Sequence, residues 1–109
     1  MPLIPLLDDE DNLTKETVQT LRTIFDRYSK GKDALSRQGI DDFATATNGE
    51  PFSAEEMEEL ELYFDTNEKG ELTWKGFQEM YQLQSLSEEH VTRSDLVKNG
   101  FPQFASLEQ

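Results

Sequence analysis

An internal repeat is the feature of this chain that most limits its possible folds. An Ile-Phe-Asp triplet at 24–26 is matched by a Tyr-Phe-Asp triplet at 63–65, and each ends a stretch with helical apolar spacing. A Lys-Gly pair follows each triplet, at 30–31 and at 69–70. After a two-residue excess in the first copy, the matching positions are Leu35 and Leu72, Gly39 and Gly76, Ile40 and Phe77, and Phe43 and Met80. Such a period indicates a duplicated supersecondary unit, here a helix–loop–helix.

Capping signals place the first three helices. Thr14 is a predicted N-cap, since it stands before an apolar stripe of helical period, and a second helix is predicted to start near Ser36. The second helix is predicted to stop at the Asn-Gly pair at 48–49. Ser53 followed by Glu56 forms a capping box, so the third helix is predicted to start there.

The second half of the chain predicts two more helices. The fourth begins at Thr73 or Trp74. The fifth starts at Ser87 and ends near the Asn-Gly pair at 99–100, because Pro102 prevents its continuation. Residues 103–109 are predicted to fray.

The polar segment 65–76 has the pattern of a metal-binding loop. Oxygen-bearing side chains occupy its first and third positions, a glycine its sixth, an apolar residue its eighth and a threonine its ninth: Asp65, Asn67, Gly70, Leu72 and Thr73. The segment resembles the twelve-residue calcium loop of the EF-hand superfamily. The resemblance implies an all-α fold, namely a calmodulin-like EF-hand pair plus a C-terminal helix. In such a pair, two helix–loop–helix units are joined by a short β-bridge, here between Leu35 and Leu72.

The resemblance also implies calcium ligands, and the second loop is short of them. Position twelve normally carries a bidentate glutamate, but here it is Gly76; position five carries the cation Lys69. The remaining candidate ligands are Asp65, Asn67, Glu71 and Thr73. We therefore expect weak calcium binding, with a dissociation constant no better than about 10⁻³ M. Restoring acids at positions 69 and 76 is expected to recover affinity without harming the helix.

The first loop departs further from the calcium pattern. With Asp26 at position one it is a fourteen-residue loop whose final ligand position is Gly39, and Lys30 and Lys32 add positive charge. Without the insertion, Tyr28 and the two lysines fall on ligand positions instead. Neither alignment supplies a calcium site.

Apolar stripes define a predicted core and, within it, a groove for a partner helix. The core residues are Leu21, Ile24, Phe25, Ile40, Phe43, Leu60, Phe64, Phe77 and Met80. The groove residues are Phe25, Phe43, Leu60, Phe64, Phe77 and Met80. The expected occupant is a helical peptide or the chain's own C-terminal helix.

The tail carries a second resemblance. The string at 72–77 and the stretch from Ser87 to Phe101 are similar to the EF-hand modules of the Miro family of mitochondrial Rho GTPases. In those modules a trailing helix occupies the groove of the pair as a ligand mimic. The expected organisation is a flexible segment at 1–13, the EF-hand pair at 14–84, and a helix and tail at 85–109 that either docks on the pair or stays weakly attached.

Composition excludes several classes of function. Acidic residues outnumber basic ones by 23 to 10, so nucleic acid is not an expected partner. There is no cysteine and no apolar run of membrane-spanning length, which predicts a cytoplasmic or nuclear protein. The single histidine, His90, has no predicted nucleophile beside it, so an enzyme is not expected. The predicted function is an EF-hand protein-interaction module with weak or lost calcium binding; the alternative is a genuine calcium sensor or buffer.

Overall fold

The structure, a computed structural model, describes residues 3–106. Within this range the chain is mostly helical, as predicted, with one small antiparallel sheet. The elements are α1 (Lys15–Ser29), β1 (Ala34–Leu35), α2 (Arg37–Asn48), α3 (Ala54–Tyr63), β2 (Leu72–Thr73), α4 (Trp74–Ser87), α5 (Glu89–Lys98) and a 3-10 turn (Pro102–Phe104). Residues 1–2 of the predicted flexible segment and 107–109 of the predicted frayed tail lie outside the described residues.

Side-chain caps start the first four helices where the sequence predicts them. The hydroxyls of Thr14, Ser36 and Thr73 each accept a hydrogen bond from the backbone N–H three residues later. Ser53 and Glu56 form the reciprocal capping box, with bonds of 3.1 and 2.9 Å. These bonds satisfy amides that the first helical turn leaves without partners, which explains why local sequence located the helix starts.

The two strands join the two helix–loop–helix units. They are antiparallel, and Leu35 is paired with Leu72, which confirms the predicted register. Both leucines are buried, at 0% and 1% exposure. The sheet therefore fixes the two loops side by side and directs the helices that follow them into a common core.

Aromatic side chains form the centre of that core. The ring of Phe77 lies 5.5 Å from Phe25, 5.3 Å from Phe43 and 5.3 Å from Tyr81, measured between centroids. All four residues are buried. Tilted and edge-to-face ring pairs at these distances add about 0.5–1.5 kcal/mol each beyond the burial of their area. We define these four residues as the aromatic cluster.

Two predicted core residues lie at the margin of the core. Phe64 and Met80 are half-buried and only pack against the buried set. Phe64 follows the last residue of α3 and has an extended backbone, with φ of −123°, so it leaves the buried stripe of that helix. Helix α3 buries Met57 and Leu60 instead.

Residues 3–13, expected to form a flexible segment, pack against the helices. The side chain of Leu6 is 3% exposed and belongs to the hydrophobic core. Leu7 and Leu13 form an isolated antiparallel bridge, and the N–H of Thr14 donates to the Leu6 carbonyl at 3.0 Å. Ile4, Leu7 and Leu13 also pack against this core, whereas residues 8–12 are exposed.

The fifth helix starts two residues later than predicted. Ser87 is the last residue of α4 rather than a cap, and its hydroxyl donates to the Leu83 carbonyl at 3.0 Å. Glu88 breaks the helix with φ of −146° and ψ of 65°. The expected boundary between residues 84 and 85 therefore falls inside α4. Helix α5 then packs on both α4 and α2.

Candidate functional site

The side chain of Asn67 organises the second loop through hydrogen bonds from backbone N–H groups of that loop. Its Oδ1 accepts hydrogen bonds from the N–H groups of Lys69 and Glu71, both at 3.0 Å. Its Nδ2 donates to the Glu71 carboxylate at 3.0 Å, and its backbone N–H donates to the Glu71 carbonyl at 2.9 Å. Two of the four predicted calcium ligands are thus bonded to each other.

The other two predicted ligands, Asp65 and Thr73, also bond to each other. The Thr73 hydroxyl donates to the Asp65 carboxylate at 2.5 Å and lies 3.1 Å from the Asp65 carbonyl. The structure therefore brings the four residues together as two pairs, each joined by a hydrogen bond between its side chains. Residues 3–106 contain no group of three or more acidic or histidine side chains placed to hold a metal ion.

Glu79 contributes to this loop, although it lies outside the twelve-residue pattern at 65–76 from which the ligands were predicted. Its Oε1 accepts from the backbone N–H of Asp65 at 3.0 Å. Glu79 lies one helical turn after Gly76 on α4, so an extension of the search by one turn beyond the loop would have found it. The Glu79 carboxylate thus holds Asp65, the first residue of the loop, against α4.

Gly76 and Gly39 lie where the chain entering each loop touches the helix that leaves it. A Cβ on Gly76 would stand 2.2 Å from the Asp65 carbonyl oxygen and 3.0 Å from the Asp65 nitrogen. A Cβ on Gly39 would stand 2.6 Å from the Tyr28 carbonyl oxygen. The space for a glutamate side chain is therefore filled by backbone in both loops. The expectation that Gly76 can be replaced without harm is wrong for this conformation.

Helix α5 and the 3-10 turn each contribute a side chain to the core that holds most of the predicted groove residues. Leu96 and Phe104 are 0% and 1% exposed and belong to the same core as the aromatic cluster. Of the six predicted groove residues, Phe25, Phe43, Leu60 and Phe77 are buried, while Phe64 and Met80 are half-buried. These side chains form a filled interior and not an open channel.

A buried acid anchors α5 to α4. Tyr81 donates its hydroxyl to Asp95 Oδ2 at 3.0 Å, and Gln84 Nε2 donates to the same oxygen at 3.2 Å. Burial raises the pKa of Asp95, and the hydrogen bonds from Gln84 and Tyr81, together with the charge of Lys98, partly offset this rise. Burial raises the pKa of Tyr81 well above its usual value, and the charge of the nearby Asp95 raises this pKa further.

Asn99, one helical turn after Asp95, anchors the C-terminal end of α5 to the first helix–loop–helix unit. Its Nδ2 donates to the Thr47 hydroxyl at 3.1 Å, and its Oδ1 accepts from the Tyr28 hydroxyl at 3.3 Å. Its backbone carbonyl accepts from Arg27 at 2.9 Å. From the sequence this asparagine is predicted only as a helix stop signal, since partners 52 to 72 positions away leave no local pattern.

Arg93 holds the two ends of the described chain together. Its guanidinium donates to the Ile4 carbonyl at 2.9 Å and to the Phe104 carbonyl at 3.1 Å. Its Nε also forms an ion pair with Glu89 at 2.8 Å. The side chain is 4% exposed. We call Arg93 with these two carbonyls the terminal clasp.

Comparison of the chain with protein-family models, with curated proteins and with solved structures finds no match. Among the helices within residues 3–106, none combines the length and the apolar character needed to cross a bilayer.

Proposed function

We propose that this chain is an EF-hand pair that serves as a protein-interaction module, with weak or lost calcium binding. The observation that carries the proposal is the position of α5. Leu96 is fully buried in the core that contains the aromatic cluster, and α5 packs on α2 and α4. A helix in this place occupies the surface that an amphipathic partner helix takes in a helix-in-groove complex.

The state of the loops supports independence from calcium. Calcium requires six to eight oxygens, whereas the oxygens of Asp65 and Asn67 already accept hydrogen bonds within the loop. Backbone atoms also approach Gly76 too closely for the usual terminal glutamate. The proposal assigns these loops a structural part, which is to hold the two units together through β1 and β2.

The expected partner is an amphipathic helical segment that competes with α5 for the aromatic cluster. Its apolar face takes the place of Leu96. Basic residues on its other face are favoured, because the chain carries a net charge of −13 and attracts cationic segments over long range. We propose cytoplasmic or nuclear residence, with no catalytic step.

A calcium titration tests the loss of metal binding. Amide spectra and the fluorescence of Trp74, the first residue of α4 beside the loop, are recorded as calcium is added to chelator-treated protein. We expect no saturable change below about 10⁻³ M, the weak limit of EF-hands. An equal ionic strength of KCl is the control. Saturation at submicromolar calcium would contradict the proposal and favour the alternative, a calcium sensor or buffer.

A competition experiment tests the groove. A fluorescent peptide of residues 88–106 is added to the parent and to a Leu96→Asp variant whose own tail is weakened. We expect the peptide to bind the variant and not the parent, because only the variant has an accessible aromatic cluster. The same peptide carrying the Leu96→Asp change is the control. A folded variant that fails to bind the unmodified peptide would refute a groove for helices.

A further inference from the structure

Helix α3 leaves two large apolar side chains in solvent, on the side away from the core. Met57 and Leu60 are its buried residues, and the other eight are exposed. Leu62 is 75% exposed and Tyr63 is 69% exposed. Leu62 stands about 200° around the helix from Leu60, so it points away from the strip that packs on the core. Both side chains are exposed while α5 is docked, so the chain's own tail does not cover them.

The residues beside Leu62 on α3 are acidic. Glu55, Glu58 and Glu59 precede it by seven, four and three residues, which places all three on its face of the helix. None of the three forms an ion pair with a described residue. We call Glu55, Glu58, Glu59, Leu62 and Tyr63 the outer face of α3.

The sequence around this helix supplies no positive charge to balance the glutamates. The stretch 38–68 contains ten acidic residues and neither lysine nor arginine. Glutamates three and four residues apart repel one another along a helix. A cation from a partner relieves this repulsion, while an apolar group from the same partner removes Leu62 from water.

The charge of the outer face decides what covers it. Nucleic acid and anionic bilayers carry the same sign of charge and are repelled. A second copy of this chain would place its own glutamates against these, and such like-charge contacts oppose association. A basic polypeptide instead pairs with the glutamates, and one of its cations can lie over the ring of Tyr63.

We propose that the outer face of α3 docks a basic helical segment of another protein, in which lysines or arginines surround one apolar residue. The apolar residue covers Leu62, and the cations pair with Glu55, Glu58 and Glu59. This surface is separate from the one that α5 occupies, and the proposal does not rest on the proposed function. Docking here leaves Leu96 of α5 in the core, where the structure has it.

The test titrates the full-length protein with a helical peptide and follows amide NMR shifts. The probe is an alanine-based peptide with one leucine flanked by four lysines on a single face. We expect saturable shifts centred on residues 55–63 that weaken as salt is added, because exposed charges are screened. Leu62→Ala is expected to weaken binding about fivefold, as the loss of a partly covered leucine would. Leu83→Ala, at a leucine of α4 that is 56% exposed, is the matched control and is expected to bind as the parent does.

A pair of triple variants separates local docking from attraction by net charge. Replacing Glu55, Glu58 and Glu59 by glutamine is expected to weaken binding about tenfold. The control neutralises three exposed acids outside α3 with the same change in net charge, and is expected to stay within about twofold of the parent. Its substitutions are Asp9→Asn, Glu10→Gln and Asp33→Asn. Urea midpoints no lower than that of the parent show that the glutamine variant is folded, since it also loses the repulsion along α3.

Three results would overturn the docking surface. Equal weakening by the two triple variants would show that net charge alone attracts the peptide. Equally tight binding by a peptide whose leucine is replaced by alanine would remove the part assigned to Leu62. Shifts centred on residues 91–104 would place the peptide under α5; they would support the groove of the proposed function and refute the site on α3.

Discussion

At the residue scale, glycine is required at positions 39 and 76 because a larger side chain has no room there. Each lies in the first turn of a helix, and each faces a backbone carbonyl of the incoming chain. Helix propensity alone favours alanine over glycine by about 0.5–1 kcal/mol. The close contact acts in the opposite direction and is the larger effect, since the nearest atom belongs to the backbone and cannot move aside as a flexible side chain would.

We expect Gly76→Ala to lower the free energy of unfolding by about 1–3 kcal/mol, as overpacking does in other cores. Urea denaturation measures the change. Lys75→Ala, at the exposed neighbouring position, is the control and is expected to stay within about 0.5 kcal/mol of the parent. A Gly76→Ala variant more stable than the parent would show that the incoming chain does not press on α4.

The buried Asp95 predicts a pH effect of definite sign. Burial raises its pKa in the folded state above the unfolded value near 3.8. The folded state therefore binds the proton more readily, and the contribution of Asp95 to the free energy of unfolding increases as the pH falls through this window. Asp95→Asn removes the buried charge and keeps an oxygen that accepts from Tyr81. We expect this variant to be at least as stable as the parent at pH 7 and to lose that advantage as the pH approaches 4.

Urea midpoints across the pH range measure this prediction. Tyr81→Phe is the companion variant, because it leaves the buried carboxylate without its tyrosine donor; we expect a loss of about 1–3 kcal/mol at pH 7. An advantage of Asp95→Asn that grows on acidification would contradict the raised pKa.

At the element scale, α5 is held by one fully buried apolar residue, Leu96, and by buried polar side chains along its length. Its apolar periodicity is poor, since Thr92, Arg93, Asp95 and Leu96 are its buried residues. The helix therefore depends on specific partners on α4, α1 and α2 more than on a continuous stripe. This explains why its sequence predicted both a docked and a weakly attached tail.

Leu96→Ala tests the contribution of α5 to the core. Because Leu96 is 0% exposed, its truncation is expected to lower the free energy of unfolding by about 2–5 kcal/mol. Leu86→Ala, at a leucine of α4 that is 51% exposed, is the matched control and should change stability by less than about 0.5 kcal/mol. Equal effects of the two changes in thermal or urea unfolding would place α5 outside the cooperative core.

At the scale of the whole molecule, the terminal clasp joins segments about 100 positions apart in sequence. Arg93 carries a buried positive charge whose donors meet two backbone carbonyls and one carboxylate. An arginine serves here because its planar guanidinium donates hydrogen bonds in several directions at once. The clasp couples the order of the first segment to that of the 3-10 turn.

We expect Arg93→Met to loosen both ends together, because methionine keeps much of the side-chain length but has no donor. Amide hydrogen exchange should quicken at Thr14, which bonds the Leu6 carbonyl, and at Ala105, which bonds the Pro102 carbonyl. The loss of stability should be about 1.5–3 kcal/mol, as for hydrogen bonds to charged groups. Arg22→Met, at a half-exposed arginine, is the control; faster exchange at only one end would argue against a shared clasp.

The sequence by itself determined the features that depend on neighbours a few residues away. The caps at Thr14 and Ser53, and the helix start near Ser36, depend on hydrogen bonds within one helical turn. The pairing of Leu35 with Leu72 was predicted from the resemblance of the two loops to EF-hand loops, which implies a short β-bridge between equivalent positions, and the structure has this pair. The candidate ligands from Asp65 to Thr73 were also found from local spacing.

Only the tertiary structure decided which polar groups are buried and which glycines, Gly39 and Gly76, have backbone atoms too close to admit a side chain. Arg93, Asp95 and Asn99 have unremarkable positions in sequence, because their partners come from distant segments and leave no period. Phe64 lies at the margin of the core for a related reason. Helix α3 ends at Tyr63, so the direction of the chain at Phe64 is set by the loop that follows and not by the helix. Local hydrogen bonds act over one turn and can be read from spacing, whereas burial depends on how all the elements pack together.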